Sequence, residues 1–294
     1  MIDSFVHYLQ YEKRLSEHTV ISYRHDLEQF FGYAARAFEA DKLDQIDPSV
    51  IRTWIITLLE EGLSTRSINR KLSALKSFFN YHIRIGNLKK SPMYQVSAPK
   101  MSKRLPEFVA QEDMEQLFSA ELFSDDFTGW RDRAIIELFY STGMRLSELI
   151  NIKRQDIDLY DNTVKVLGKR NKERIIPVTP AARQALEKYI SFLDNKPESA
   201  NKNSFIFVTN RGSKLYPKAV YNIVRKYLDM ITTIDKRSPH VIRHTFATHL
   251  LNNGADINAI KEILGHSSLA ATQIYTRNSI EKLKSIYKQA HPRA

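Results

Sequence analysis

The chain has 294 residues, of which 43% are hydrophobic and 26% are charged; this composition excludes a disordered or fibrous protein and leaves room for two domains. Its 44 Lys and Arg residues outnumber its 33 Asp and Glu residues, giving a formal net charge of +11. This excess favours a polyanionic partner, either nucleic acid or an anionic membrane surface, although solubility alone also explains it. The absence of cysteine excludes disulfides and thiolate zinc sites. Because we find neither a signal peptide nor an apolar run of about 18 residues, we predict a cytoplasmic protein with no membrane partner.

The first 90 residues have the periodicity of a helical bundle. Apolar residues of the second helix recur in steps of three and four positions, which places them on one face. A third helix is predicted to begin with Asp47 as its cap and Pro48 in its first turn, and to end at Gly62. The residues expected to face the core are Val20, Tyr23, Leu27, Phe30, Phe31, Ile51, Trp54, Ile55 and Leu58. We therefore predict a helical domain over residues 1–90.

A fourth helix is predicted from about Ser64 to Gly86, and its apolar stripe is formed by Ile68, Leu72, Leu75 and Phe79. The candidate DNA-binding residues on and beside its other face are Arg66, Arg70, Ser73 and Lys76. Their donors suit phosphates and base edges. An ordinary solvated helix face has the same composition, so both interpretations stay open.

Residues 91–107 are predicted to be a basic linker, because this stretch is rich in proline, lysine and arginine and lacks periodicity. The second domain is predicted over residues 108–294. It begins with helical spacing, and then residues 162–167 and 174–178 alternate like two strands of a hairpin with Gly168, Lys169, Arg170 and Asn171 at its tip. Residues 204–208 are predicted to add a third strand, and the remainder is helical.

The segment SPHVIRHTFATH, residues 238–249, carries the first candidate chemistry. Ser238 can cap a helix and Pro239 can occupy its first turn, which places His240, Arg243 and His244 on one side. Two histidines four positions apart also occur in zinc helices, but here the general-base Glu is replaced by Val and a guanidinium would lie beside the metal. A cation between imidazoles suits a phosphodiester oxygen that gains or loses a proton.

The segment LGHSSLAATQIYT, residues 264–276, carries a candidate donor and a candidate nucleophile. A helix is predicted to end at Gly265, His266 follows it, and Tyr275 lies on the next helix. The chain has 14 tyrosines, so Tyr275 taken alone is better explained as a structural tyrosine than as a nucleophile, and it is its arrangement with the preceding segment that favours chemistry.

Together these segments resemble the signature motifs of the tyrosine recombinase (phage integrase) family, particularly the Xer recombinases of bacteria. STGMRLSEL resembles the segment with the first catalytic arginine, and VLGKRNKERIIPV the one with the catalytic lysine. HVIRHTFATHLL and LGHSSLAATQIYT resemble the segments with the remaining catalytic groups. The catalytic residues that the resemblance implies are Arg145, Lys169, His240, Arg243, His266 and Tyr275, with Glu148 as the companion of the first arginine. Arg170 replaces a common second glycine, and Lys172 remains an alternative donor.

The resemblance implies a mainly α fold: an N-terminal SAM-like helical bundle and a C-terminal mixed α+β catalytic domain with a small β-sheet. It also implies cleavage and rejoining of double-stranded DNA at a recombination site, through a 3′-phosphotyrosyl bond, with no cofactor and no metal. The implied assembly is a homo- or hetero-tetramer with another recombinase on two DNA sites, served by a DNA translocase at the division septum.

Several alternatives stay open at this stage. Chromosome-dimer resolution, integration of a mobile element and non-catalytic DNA bridging all agree with the motifs, whereas a type IB topoisomerase usually has a larger clamp. The segment IEKLKSIY, residues 280–287, is amphipathic, and it suits docking on a neighbouring subunit or packing on its own domain.

Overall fold

A computed structural model of the protein describes residues 1–101, 107–119, 121–168, 172–195, 205–265 and 285–294. The chain divides into two compact units, Met1–Arg104 and Leu105–Ala294, and each has its own hydrophobic core. Among the described residues, no helix combines the length and the apolar character that crossing a bilayer requires. The predicted mainly α fold is confirmed.

The N-terminal unit is a bundle of helices. They are α1 Ile2–His7, which continues as a π-helical turn over Tyr8–Glu12, α2 Glu17–Phe38, α3 Pro48–Glu60 and α4 Thr65–Arg84. The predicted cap of α3 is confirmed, since the Asp47 carboxylate accepts from the Ser49 and Val50 amides at 2.6 and 3.2 Å. The Ser64 hydroxyl caps α4 in the same way, at 3.3 Å from the Ser67 amide.

Aromatic rings fill the centre of this bundle. Phe30 and Trp54 pack edge to face with centroids 5.0 Å apart, and Phe5 meets Phe78 at 5.4 Å. The inner faces predicted for α3 and α4 are buried as expected: Ile51, Trp54, Ile55, Leu58, Ile68, Leu72, Leu75 and Phe79. On α2, Val20, Leu27 and Phe30 are buried, whereas Tyr23 and Phe31 are half-buried.

The predicted linker begins against the N-terminal bundle. Residues Pro92–Gln95 form a 3₁₀ turn that packs on α3 and α4, and Pro92 is buried. Further along, the Asn69 side chain donates to the Pro99 carbonyl at 3.1 Å. The boundaries 1–90, 91–107 and 108–294 stay a prediction.

The C-terminal unit is built around one buried helix. Its helices are α5 Gln111–Ser119, α6 Phe127–Thr142, α7 Leu146–Leu149, α8 Pro180–Asp194, α9 Pro217–Ile231, α10 Pro239–Asn252 and α11 Ile257–Leu264, and residues 285–290 are also helical. Helix α6 packs against α8, α9 and α10, so it is buried on nearly all sides. Its end is therefore held by several elements at once.

A three-stranded antiparallel sheet lies beside these helices, in the order β1 Ile157–Asp158, β2 Thr163–Leu167 and β3 Glu173–Pro177. Val164 pairs with Ile176, which confirms the predicted hairpin. The predicted third strand at 204–208 is wrong within its described part, because Phe205 and Val208 form only isolated bridges. Residues 206–208 are buried, and the Ile206 amide donates to the Ile152 carbonyl at 2.9 Å, so core packing explains their apolar character.

Candidate active site

Three of the six predicted catalytic residues, Arg145, His240 and Arg243, lie within the described part of the C-terminal unit. The predictions for Lys169, His266 and Tyr275 fall outside the described residues. The structure therefore tests how two arginines and one histidine are arranged, and where the chain enters the segments that carry the other three.

Arg145 lies in the turn between α6 and α7. Its backbone amide and its guanidinium both donate to the Glu148 carboxylate, at 2.7 and 2.8 Å. Glu148 is only 4% exposed, and it accepts two further bonds from Arg174. Burial by itself raises the pKa of Glu148, but hydrogen bonds and charge from Arg174 and then Arg145 outweigh burial and lower it. The carboxylate is thus an ionised anchor that leaves the Arg145 side chain 24% exposed.

Arg243 projects from α10 to the ends of two other helices. Its guanidinium donates to the Gly143 carbonyl at 2.5 Å and to the Leu264 carbonyl at 2.8 Å. These carbonyls lie at the C-terminal ends of α6 and α11, where the helix dipole attracts a cation. Burial, with repulsion from Arg145, lowers the pKa of Arg243 to about 10, so the group stays charged at neutral pH.

The two guanidinium groups meet at the end of α11. Arg145 donates to the Gly265 carbonyl at 3.4 Å, and Arg243 donates to the carbonyl one residue earlier. Two forked cations on consecutive carbonyls form a concentrated positive site, and guanidinium matches the geometry of a phosphate. The next residue in the chain is His266.

Gly143 permits α10 and α11 to pack closely against the end of α6. Its φ of +58° is in the left-handed region, and a Cβ there would lie 2.4 Å from the Phe246 ring and 2.8 Å from the Leu264 side chain. Any larger residue would push α10 and α11 away from the end of α6. The glycine in STGMR is therefore required by close packing at the site.

His240 is exposed in the first turn of α10, and His244 is half-buried one turn further on. Ser238 precedes the helix as predicted, but the expected side-chain cap is wrong: the Ser238 carbonyl, not its hydroxyl, accepts from the Val241 and Ile242 amides. Within the described ranges, no group of three His, Asp or Glu side chains is placed to hold a metal ion.

The last described contact between the β2 and β3 sides of the hairpin joins Gly168 to Lys172. The Gly168 amide donates to the Lys172 carbonyl at 2.8 Å, and the Lys172 side chain is exposed. Lys169 follows Gly168 in the chain, and the strand pair that leads to it has a defined register, from Thr163 opposite Pro177 to Leu167 opposite Glu173.

The four candidate DNA-binding residues of α4 are all exposed, but they differ in their partners. Arg70 forms a two-pronged ion pair with the fully buried Asp26 and also donates to Ser22 at 3.3 Å. The Ser73 hydroxyl donates to the Asn69 carbonyl at 2.8 Å. A DNA role for Arg66, Arg70, Ser73 and Lys76 stays a prediction, and Arg70 already serves the fold.

The C-terminal segment packs on its own unit from residue 285 onward. Tyr287 is 3% exposed, and its hydroxyl donates to the Ser141 carbonyl at 2.8 Å and lies 3.0 Å from the Ser141 hydroxyl. Arg293 donates to Glu137 at 2.9 Å. For residues 280–287 we considered docking on a neighbouring subunit and packing on the same domain. The described part, residues 285–287, packs on its own unit.

Sequence reasoning missed Arg174. The signal is its phase in β3: side chains of alternate residues share one face, so Arg174 points the same way as buried Ile176. An arginine in the inward phase of a strand requires an internal partner. Lys71 was missed as well: it is buried on the helix α4 beside Leu72, and it donates to Asp26 at 3.1 Å.

Comparison with known proteins agrees with this arrangement. Residues 107–282 match the model of the phage integrase family, and residues 2–86 match that of the phage integrase N-terminal SAM-like domain. The chain is 38% identical over 317 residues to tyrosine recombinase XerC of Chlorobaculum parvum, covering 100% of this chain and 94% of that protein. It is 41% identical over 294 residues to tyrosine recombinase XerC of Thermodesulfovibrio yellowstonii, covering 99% and 96%.

Among solved structures, the XerH site-specific recombinase bound to palindromic difH substrate superposes with a TM-score of 0.70 at 25% identity, covering 90% of this chain and 78% of that one. The Tn1549 transposon integrase in complex with transposon right end DNA shares the fold, with a TM-score of 0.75 at 20% identity, covering 96% and 99%. Full-length likeness and the two matching domain models lead to one conclusion: the chain belongs to the phage integrase family of tyrosine recombinases.

Proposed function

We propose that this protein is a site-specific DNA recombinase in which Arg145 and Arg243 hold the phosphate that Tyr275 attacks. The observation that carries the proposal is the pair of guanidinium groups on the consecutive carbonyls of Leu264 and Gly265. They lie immediately before His266, and Tyr275 follows nine positions later (275 − 266). Fixed positive charge at this point suits the negative charge that develops on phosphorus oxygens in the transition state.

The proposed step is a transesterification. The Tyr275 oxygen forms a bond to phosphorus and gives up its proton to His240 or His266, while the bond from phosphorus to the 5′ oxygen breaks and that oxygen takes a proton from Lys169. Tyrosine has a pKa near 10 in solution, so neighbouring cations are needed to stabilise the phenolate. His240 and His266 are proposed to contact the phosphate and move protons. One phosphoester replaces another, so a 5′ hydroxyl can reverse the step without ATP.

The biological role proposed is Xer-type resolution of chromosome dimers in the cytoplasm. Its support is the likeness to XerC proteins along the whole chain, at 38% and 41% identity. The proposed partners are a double-stranded DNA recombination site, a homo- or hetero-tetramer of recombinases on two such sites, and a DNA translocase at the septum. Integration of a mobile element is the alternative role for the same chemistry.

DNA contact by the N-terminal unit is proposed through α4. Arg66 and Lys76 are exposed and suit phosphates, and the Ser73 hydroxyl suits a phosphate or a base edge. Arg70 is the least available of the four, because a DNA contact would compete with its ion pair to Asp26.

A suicide substrate tests the proposal. The protein first selects its site by binding from a randomised duplex pool, and a nicked version of that duplex then traps the covalent adduct. We expect an adduct with the wild-type protein in EDTA, none with Tyr275→Phe, and an unchanged yield with the control Tyr160→Phe, whose ring is 94% exposed. Arg145→Ala and Arg243→Ala should bind the site yet form adduct about 100-fold more slowly or worse. An undiminished adduct with Tyr275→Phe would refute the assignment.

A further inference from the structure

Arg174 in β3 is a buried guanidinium with every side of its fork engaged. It is 5% exposed, and it donates to the two oxygens of Glu148 at 2.9 and 2.8 Å. Its Nε donates to the Ile263 carbonyl at 2.8 Å. A planar group with three directional bonds fixes its partners relative to one another, which a lysine ammonium cannot do.

The Glu148 carboxylate links Arg174 to Arg145. Each of its oxygens accepts one bond from Arg174 and one from Arg145, so the two guanidinium groups share one anion. If the Arg174 fork were lost, the buried Glu148 carboxylate would lose two of the four hydrogen bonds that fix its orientation. Arg145 would then be held by a carboxylate whose own position is less well fixed.

Arg174 also touches the two chain segments that lead into other candidate catalytic residues. A Cβ on Gly168, which precedes Lys169, would lie 3.3 Å from the Arg174 Nη1 atom. A Cβ on Gly265, which precedes His266, would lie 3.0 Å from the same atom. Both backbones therefore pass directly over the guanidinium, and Ile263 ties it to the end of α11 as well.

We propose that Arg174 is a positioning residue of the recombinase, a single buried guanidinium that aligns the segments bearing Arg145, Lys169 and His266. The inference rests on the proposed function and adds to it a residue that does not touch DNA. A positioning role differs from a purely stabilising one in a measurable way: loss of Arg174 slows the chemical step even in protein that is folded and bound to its site.

The test measures the single-turnover rate of adduct formation at saturating protein, on the nicked duplex selected by binding. Arg174→Lys keeps the charge but loses the fork, and we expect cleavage about 100-fold slower, as for a small misplacement of catalytic groups. The dissociation constant for the duplex should stay at its wild-type value. Arg174→Gln, with a planar amide, provides a second variant, and near-UV circular dichroism gives the folded fraction to which each rate is normalised.

A matched control is Arg131→Lys. Arg131 is also buried, donates to the Asp132 carboxylate at 2.8 and 3.0 Å and reaches the Val208 carbonyl, but it lies on α6 away from the arginine pair. Its substitution should lower stability and leave the normalised cleavage rate unchanged. Equal slowing by Arg131→Lys and Arg174→Lys would overturn the proposal, because a general loss of stability would then explain both.

A double-mutant comparison tests the route through Glu148. If Arg174 acts through that carboxylate, Arg174→Lys combined with Glu148→Gln should be no more than about twofold slower than the slower single variant. Full multiplication of the two losses, or wild-type rates in both Arg174 variants, would overturn the inference while the wild-type adduct leaves the proposed function standing. Absence of an adduct with the wild-type protein would overturn the proposed function and this inference with it.

Discussion

His291 should make the C-terminal unit sensitive to acid. The residue is 6% exposed and its ring is held in one neutral form: Nε2–H donates to the Tyr140 carbonyl at 3.0 Å, and Nδ1 accepts from the Arg293 amide at 3.1 Å. Protonating Nδ1 would set two N–H groups against each other. Burial lowers the pKa of His291 to about 4; the bond to Tyr140 opposes this, and charge on Arg293 and His249 adds to it.

The magnitude follows from the linkage between proton binding and folding. Between pH 6.5 and pH 4 the unfolded chain binds a proton at His291 that the folded chain refuses, so stability falls as the pH falls through this window. At pH 4 the loss amounts to about 3 kcal/mol, and very little of this loss occurs above pH 6.5. Burial also lowers the pKa of His249, which adds a loss of the same sign.

The assay compares His291→Gln with the parent protein, so that the contribution of His249 cancels. Trp54 and Trp130 are the two tryptophans of the chain, one in each unit, and a Trp54→Phe background leaves Trp130 to report on the C-terminal unit. Urea unfolding at pH 7 and pH 4 gives the two free energies. The variant should lose about 3 kcal/mol less than its parent between these pH values. Equal losses in both proteins would refute the reasoning.

Two further predictions concern packing and charge. Gly143→Ala should destabilise the C-terminal unit by more than about 2 kcal/mol, because left-handed strain adds to overlap with the Phe246 ring; Gly62→Ala, with open space around its Cβ, should cost only about 1 kcal/mol in the N-terminal unit. Equal urea-unfolding losses would contradict the role given to close packing. Asp26→Asn should cost about 3 kcal/mol, since it leaves the Lys71 charge buried without a carboxylate, whereas Asp3→Asn in the exposed pair with Arg24 should change the free energy of unfolding by less than about 1 kcal/mol. A loss for Asp26→Asn as small as that for Asp3→Asn would contradict the role given to the buried charges.

The sequence by itself determined most of the helical structure and the identity of the family. Caps such as Asp47 act within three residues, and helical faces repeat within one turn, so both could be predicted from neighbours in the chain. The motifs that resemble tyrosine recombinases are also contiguous. They named Arg145 and Arg243, which the structure brings together at the end of α11.

Only the tertiary structure decided how distant segments share their charges. Arg243 and Gly143 are 100 positions apart, and Arg174 and Glu148 are 26 apart, so no local pattern specifies these contacts. The same holds for residues 205–208. Their apolar character predicted a strand, but in the structure this segment packs in the core next to Ile152 and forms only isolated bridges. A buried polar group must find its partner wherever the fold supplies one, and that partner depends on the packing of the whole unit.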